Sequence, residues 1–301
     1  MVLKVQLHLH TTESTGTRVN VESLTKPKEA IDVAKKNGID AIAITDHNVT
    51  SAFPKIEDYA KKNNIVLIRG VEIDTNNGHI IGLGVDLDIE KKIKKFMTLN
   101  EACDLIKNLG GDIYIPHPFD IRFKGVGTKI KEIDGIIEVF NPLNIFGFED
   151  MFADFAASKL KRPKVIGADA HMPWMIPLCI TVVDSEPEEH KILKAIKNGK
   201  ISFKNCRHLT LKEMKELSLA RVLASHDYIK DEIKDGWKVD MTYMLLANSR
   251  LMKPLENFAL DIGMRKKNSR IWDVLIYFSY FLARLYSIRA EREFNNFIKN
   301  L

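Results

Sequence analysis

Six of the nine histidines sit beside short apolar runs of the chain: His8-Leu9-His10, Asp46-His47, His79, His117 and Asp169-Ala170-His171. The runs cover residues 5–9, 41–45, 65–73, 113–115 and 165–167, and Glu72 interrupts the third of them. A residue type that follows several strands in turn lines one end of a barrel or open sheet, where one site gathers side chains from many segments. Imidazole with carboxylate is a donor set for zinc, manganese or iron. One such histidine alone reads as a satisfied core or loop residue; the series reads as a metal site.

Spacing sharpens this. His8 and His10, two apart on a strand, point to the same side of it, and Asp169 and His171 repeat the interval. Glu72, isolated in Val-Glu-Ile, would be expensive to bury uncompensated, and a cation removes that cost. A carboxylate also bridges two ions, which imidazole does not. Ions about 3.5–4 Å apart suit in-line displacement at phosphorus or attack on an amide.

The first 205 or so residues alternate strand and helix signals, which predicts an α/β fold with a parallel sheet. After strand 5–9, Thr25 with Pro27 opens a helix with the stripe Ala30, Ile31 and Ala34, stopped at Gly38. Strand 39–45 delivers Asp46 and His47. A helix over 51–63 follows, then strand 65–73 with Glu72. Asn76-Asn77-Gly78 reads as a hairpin turn into strand 80–85. Thr98 and Glu101 form a capping box, and strand 112–115 delivers His117. Strand 135–140 carries Glu138 and leads to Asn141, a helix covers 149–160, and strand 165–167 delivers Asp169 and His171. Ser185 and Glu188 are read as the cap of a helix ending near Gly199, before a closing strand at 201–203. About seven strands result, enough for an irregular barrel.

From about Leu209 the pattern is helical only. Thr210 and Glu213 make another capping box, Gly236 and Gly263 mark breaks, and 272–298 is one amphipathic stretch. Its uncharged part spans 274–283, between Asp273 and Arg284, far short of the roughly 20 residues of a membrane span. The stripe Ile271, Leu275, Phe278, Leu282, Leu285 and Ile288 is expected to pack on the barrel or form a homo-oligomer surface; membrane contact is not expected. Residues 1–205 are therefore read as a metal-site barrel and 206–301 as a helical C-terminal region.

At 301 residues, 45% hydrophobic and 28% charged, the composition is that of a globular protein. The net charge of +5 is mild and equally consistent with simple solubility or attraction of anions. Cys103, Cys179 and Cys206 are scattered, which points to a reducing compartment and against a structural zinc knuckle. Met1-Val-Leu-Lys runs straight into the first strand without a cleavable signal, so a cytoplasmic location is expected.

The motifs His8-x-His10, Thr45-Asp46-His47, Gly70-Val71-Glu72-Ile73, Pro116-His117-Pro118 and Gly167-Ala168-Asp169-Ala170-His171 together resemble those of the polymerase and histidinol phosphatase (PHP) family, in order and spacing. No single motif is specific; five in register are. The resemblance covers roughly residues 1–203. It implies a distorted seven-stranded TIM-like β/α barrel, two to three divalent ions at the strand ends (zinc, manganese or iron), and phosphoester hydrolysis. By the same resemblance, His8, His10, Glu72 and Asp169 hold a first ion. Glu72 bridges to a second with His117, and His47 and His171 hold a third. His79 is similar to a ligand of shorter members and would complete the second site. Where many members carry an acidic or histidine ligand soon after H-x-H, this chain reads Ser14-Thr15-Gly16. The third ion then lacks a ligand unless Glu13 substitutes.

Catalysis is expected from Asp46, Glu72 and His117, Asp46 as a residue that orients a ligand imidazole. Arg122 and Lys124, on the loop after His117, and Arg18 are candidate phosphate clamps. His190, His208 and His226 read as surface residues. The expected substrate is a small phosphorylated metabolite, nucleotide or short oligonucleotide, which leaves nucleic acid among the candidates. The alternatives are an amidohydrolase-like enzyme, disfavoured because no lysine lies among the ligand motifs, and a metal-binding scaffold whose helical tail binds a partner or membrane surface.

Overall fold

Strand β1 (Val2–Gln6) lies inside a nine-stranded sheet, third from one edge. The computed structural model describes residues 1–14, 21–122, 125–224 and 270–301. In chain order the first elements are β1, α1 (Pro27–Lys36), β2 (Ala41–Ile44), α2 (Ala52–Lys62), β3 (Val66–Thr75), β4 (Gly78–Leu83), α3 (Leu99–Asn108) and β5 (Asp112–Ile115). They are followed by β6 (Ile136–Phe140), α4 (Phe148–Leu160), β7 (Lys164–Ile166), β8 (Ile180–Asp184), α5 (Glu189–Lys197), β9 (Ile201–Lys204), α6 (Leu211–Ala224) and α7 (Arg270–Lys299).

The spatial order is β7-β6-β5-β4-β3-β2-β1-β8-β9. Beyond β1 and β7 the chain segments meet: His10 N donates to Ala170 O at 2.9 Å and Ala170 N to His8 O at 3.3 Å. That pairing draws the two segments carrying the paired ligands together and nearly closes a barrel. The expected α/β barrel is present with nine strands rather than seven. It is also mixed rather than parallel, because β4 runs antiparallel to β3 and β5, and β8 antiparallel to β1. The Asn76-Asn77-Gly78 hairpin reverses β4, which brings the start of that strand, with His79, opposite Asp74 on β3.

The local signals explain most helix ends. Pro27 opens α1, whose Ala30, Ile31 and Ala34 are buried, and Gly38 takes φ 61° after it. The Thr98–Glu101 capping box forms at the start of α3. The expected Ser185 cap does not form: Glu188 precedes α5, and Ser185 Oγ donates to the Glu186 carbonyl instead. An inner core of Val5, Leu7, Ala43, Ile68, Ile81, Leu83 and Val183 is sealed by Ile192, Leu193 and Ile196 of α5, while the strand–helix layer forms a second, larger core.

Helix α7 lies against α4 and α6, and no helix among the described residues is long and apolar enough to cross a membrane. Its packed face differs from the expected stripe. Leu285 and Ile288 are 53% and 42% exposed. Ala283 and Ala290 pack on Ile121, and the Phe294 ring sits 4.9 Å from Phe119 and 6.0 Å from Phe152. The interval from 283 through 290, 294 and 298 keeps one helical face, and the alanines allow close approach. Ending the chain at residue 269 is expected to uncover Ile121, Phe119 and Phe152. At about 1.5–3 kcal/mol per large apolar side chain, melting temperature and solubility should both fall while the ligand set is spared. Unchanged melting and light scattering would show that α7 does not cover the barrel.

Candidate metal centre

The paired ligands converge at the C-terminal ends of the parallel strands. His8 Nε2 and His10 Nε2 are 3.3 Å apart. They lie 3.2 and 3.1 Å from Glu72 Oε2 and 3.4 and 3.2 Å from Asp169 Oδ1. A tetrahedral ion with donors at about 2.0–2.1 Å sets them about 3.3 Å from one another. Two buried imidazoles and two buried carboxylates at this spacing therefore fit one cation.

The other Glu72 oxygen faces a different set. Oε1 lies 2.8 Å from His79 Nδ1 and 3.5 Å from His117 Nε2. One carboxylate thus addresses two groups of imidazoles, as a bridging ligand must. A third group lies beyond His10, whose ring stacks on His47 at 4.8 Å and on His171 at 4.6 Å.

The acidic member of that third group is Glu22 rather than Glu13. Its Oε1 is 3.4 Å from His47 Nε2 and 3.6 Å from His171 Nε2. Segment 21–25 is tied directly to the centre: Ser23 Oγ donates to His10 O and His171 O, and Leu24 N donates to His171 O. Ser14 Oγ donates to Glu22 and accepts from His47 N. Glu13 is turned away onto Ser51 and Lys55, and Thr15 lies outside the described residues. Glu22 stands later in the sequence than the position where an acidic residue is expected. Glu22→Gln is expected to weaken the third site by about ten- to a hundredfold, the usual cost of losing a contact to a charged group. The first site should be untouched. Competitive titration showing unchanged affinity at every site would remove Glu22 from the ligand set.

Behind the ligands, buried carboxylates fix orientation. Glu138 accepts from His8 Nδ1 at 3.0 Å, from His117 N at 2.7 Å and from Asn141 Nδ2 at 2.9 Å. Tyr114 Oη donates to it as well. With Nδ1 so engaged, His8 presents Nε2 to the centre. Gly167 is required here, because a Cβ would collide with Glu138, Tyr114 and His8. Asp74, two residues beyond Glu72, lies 2.8 Å from His47 Nδ1 and 3.2 Å from His79 Nε2. Asp46, expected to orient an imidazole, instead accepts from Thr11 N and Thr11 Oγ1 at 2.5 and 2.7 Å. It braces the loop after His10, and Asp74 is the carboxylate that lies beside His47 Nδ1. His117 and Asp169 adopt φ 28° and 45°, strained backbone of the kind concentrated at functional sites.

Charge follows geometry. Burial works to raise Glu72 and Asp169, but the surrounding imidazoles outweigh it and hold both well below the usual carboxylate range. Burial works to lower His8, and Asp169, Glu138 and Glu72 hold it well above an ordinary imidazole. His171 goes the other way, to about 4, pulled down by burial against Asp169. Burial pushes Asp46 up to about 6.

Of the expected phosphate clamps, Arg122 is buried and its Nε and Nη2 engage Asp120 at 2.8–3.1 Å. Arg18 and Lys124 lie outside the described residues, as does His226. His208 is not a plain surface residue: its Nε2 lies 2.5 Å from Asp150 and its ring stacks on Phe140.

The sequence profile of the PHP domain matches residues 6–232. The uncharacterized protein MJ1587 of Methanocaldococcus jannaschii is 35% identical over 144 residues, covering 46% of this chain and 82% of that protein. A DNA polymerase III PolC-type of Ureaplasma parvum is 34% identical over 265 residues, 87% of this chain but only 14% of the polymerase. Among solved structures, a two-domain protein of Bacteroides vulgatus, described as containing a predicted PHP-like metal-dependent phosphoesterase, superposes with a TM-score of 0.56. It shares 19% identity, with 68% of this chain and 65% of that one covered; the likeness is one of fold.

Proposed function

Because the chain belongs to the PHP domain family, we propose that it is a metal-dependent hydrolase of phosphoester bonds. Its substrate would be a small phosphorylated metabolite, nucleotide or short oligonucleotide. The observation that carries the reading is the two-sided use of Glu72, with Oε2 toward His8 and His10 and Oε1 toward His79 and His117. His8, His10, Glu72 and Asp169 would hold one ion, Glu72, His79 and His117 a second, and Glu22, His47 and His171 a third. Such cations, zinc, manganese or iron by donor type, supply Lewis-acid charge that activates water and offsets charge on phosphoryl oxygens. The protein's own part is orientation: Glu138 and Tyr114 fix His8, Asp74 fixes His47, and Asp46 holds the loop after His10. Arg122, Lys124 and Arg18 remain the proposed phosphate contacts of the barrel.

Nucleic acid stays among the substrates because the match to the PolC-type polymerase spans most of this chain. An amide-cleaving reading is disfavoured because no lysine lies among the ligand motifs of the sequence. The test is a screen of phosphomonoesters, nucleotides and oligonucleotides with manganese, zinc or magnesium, before and after chelation. Hydrolysis of one of these classes, abolished by chelation and restored by metal, is expected. Hydrolysis that survives chelation, or none in any class, would overturn the proposal.

A further inference from the structure

A polar chain leads from the first ligand group out to the segment that enters the helical region. Asn141, fully buried just beyond β6, donates Nδ2 to Glu138 Oε2 at 2.9 Å and lies 3.5 Å from Asp169 Oδ2. Its backbone N donates to Asp150 Oδ1 at 3.1 Å, and Asn144 Nδ2 donates to the same oxygen. The second oxygen, Asp150 Oδ2, lies 2.5 Å from His208 Nε2. Two further contacts seat His208. Its ring stacks on Phe140 of β6 with centroids 4.7 Å apart, and the neighbouring Leu209 N donates to Pro142 O at 3.0 Å. Residues 205–210 join β9 to α6. The start of the helical region is therefore tied to the end of the strand that carries Glu138.

Burial gives each link its task. Asp150, in the first turn of α4, is only 8% exposed. Burial works to raise it, and the His208 hydrogen bond leads the interactions that oppose the rise. His208 is raised in return, first by that same hydrogen bond, with Glu149 acting in the same sense. A charged Asp150 grips the Asn141 N–H about twice as strongly as a neutral one would. With its backbone so held, Asn141 keeps its amide aimed between Glu138 and Asp169. Those two carboxylates set the first site: Glu138 accepts from His8 Nδ1, and Asp169 Oδ1 faces both His8 and His10. Resting on the metal-dependent reading above, we propose that His208 is a positioning residue for the first ion, acting through Asp150 and Asn141 on Glu138 and Asp169. His208 itself stands outside the ligand groups, so the start of the helical region supports the centre from behind.

The experiment uses the full chain, with manganese as the titrated probe and the best hydrolysed phosphoester as substrate. The first site is identified as the one that His10→Gln abolishes. His208→Phe keeps an aromatic ring against Phe140 and removes the Asp150 contact. It is expected to weaken the first manganese site, and to lower kcat with KM little changed, each on the order of tenfold, as for other partners behind a ligand. His208→Gln brings an amide N–H to Asp150 and should recover most of the loss. In an Asp150→Asn background, His208→Phe should have no further effect on manganese. Leu209→Ala loosens the same segment from the main core and leaves the hydrogen-bonded chain in place, so it should lower the melting temperature and spare manganese affinity. Unchanged manganese affinity in His208→Phe would overturn the proposal. So would an equal loss of affinity in Leu209→Ala, which would make the effect one of stability alone. A chain that binds manganese at the first site but hydrolyses no phosphoester would remove the proposed function, and the titrations would still decide the role of His208. A chain that takes up no manganese would overturn both.

Discussion

Replacing His8 and His10 together with alanine is expected to empty the first site and reduce phosphoester hydrolysis by several orders of magnitude. The two Nε2 atoms supply half of the donor set around Glu72 Oε2 and Asp169 Oδ1. Without them, two buried carboxylates confront each other with little to offset their charge. Removing one side of a buried ion pair costs about 3–5 kcal/mol, so the double variant should also melt earlier. His10→Gln keeps a polar group of similar size and separates the two effects, since it should lose metal with less loss of stability. Full metal loading of the double variant would refute the first site outright.

Stripping the metals is expected to destabilise the protein far more at alkaline than at acidic pH. In the metal-free chain His8 and His47 are held well above 6.5, and His10 is also raised. For each, burial opposes the rise and neighbouring carboxylates cause it. A raised folded value means stability that is complete below about 6.5, the unfolded value, and is lost as pH climbs through the folded one. Protons thus stand in for cations at low pH, and above that only metal can compensate Glu72 and Asp169. His79 and His171, lowered chiefly by burial, contribute in the opposite sense as pH falls below about 6.5. Metal uptake should release protons, and the rise in melting temperature on adding metal should be greater near pH 9 than near pH 6. Thermal melts with and without chelator measure it. An equal or larger metal effect at the acidic end would contradict this account of the charges.

The grouping of candidate ligands that lie close together along the chain is readable from residues alone, because a strand turns alternate side chains to one side. His8 with His10 and Asp169 with His171 needed nothing further. Asp74 followed the same rule from Glu72 and was passed over for want of a histidine partner in sequence; its partner, His47, comes from the neighbouring strand. Glu22 carries no local signal, because it stands well beyond the His8-x-His10 pair along the chain with no histidine beside it. Strand β8, which bears no site residue, is absent from the expected strands, although its Ile-Thr-Val-Val run has the composition of one. The packed face of α7 departs from the stripe of large apolar residues that the sequence predicts. Close approach to Ile121 instead selects Ala283 and Ala290, and leaves Phe281 and Leu285 outside.

The most direct measurement is anomalous X-ray diffraction from crystals of the full chain grown with manganese, collected on both sides of the metal absorption edge. The account predicts one peak enclosed by His8, His10, Glu72 and Asp169, and a second on the other side of Glu72 toward His79 and His117. A weaker third is expected between Glu22, His47 and His171. Ions confined to the surface, or a saturated soak with no peak beside Glu72, would contradict it.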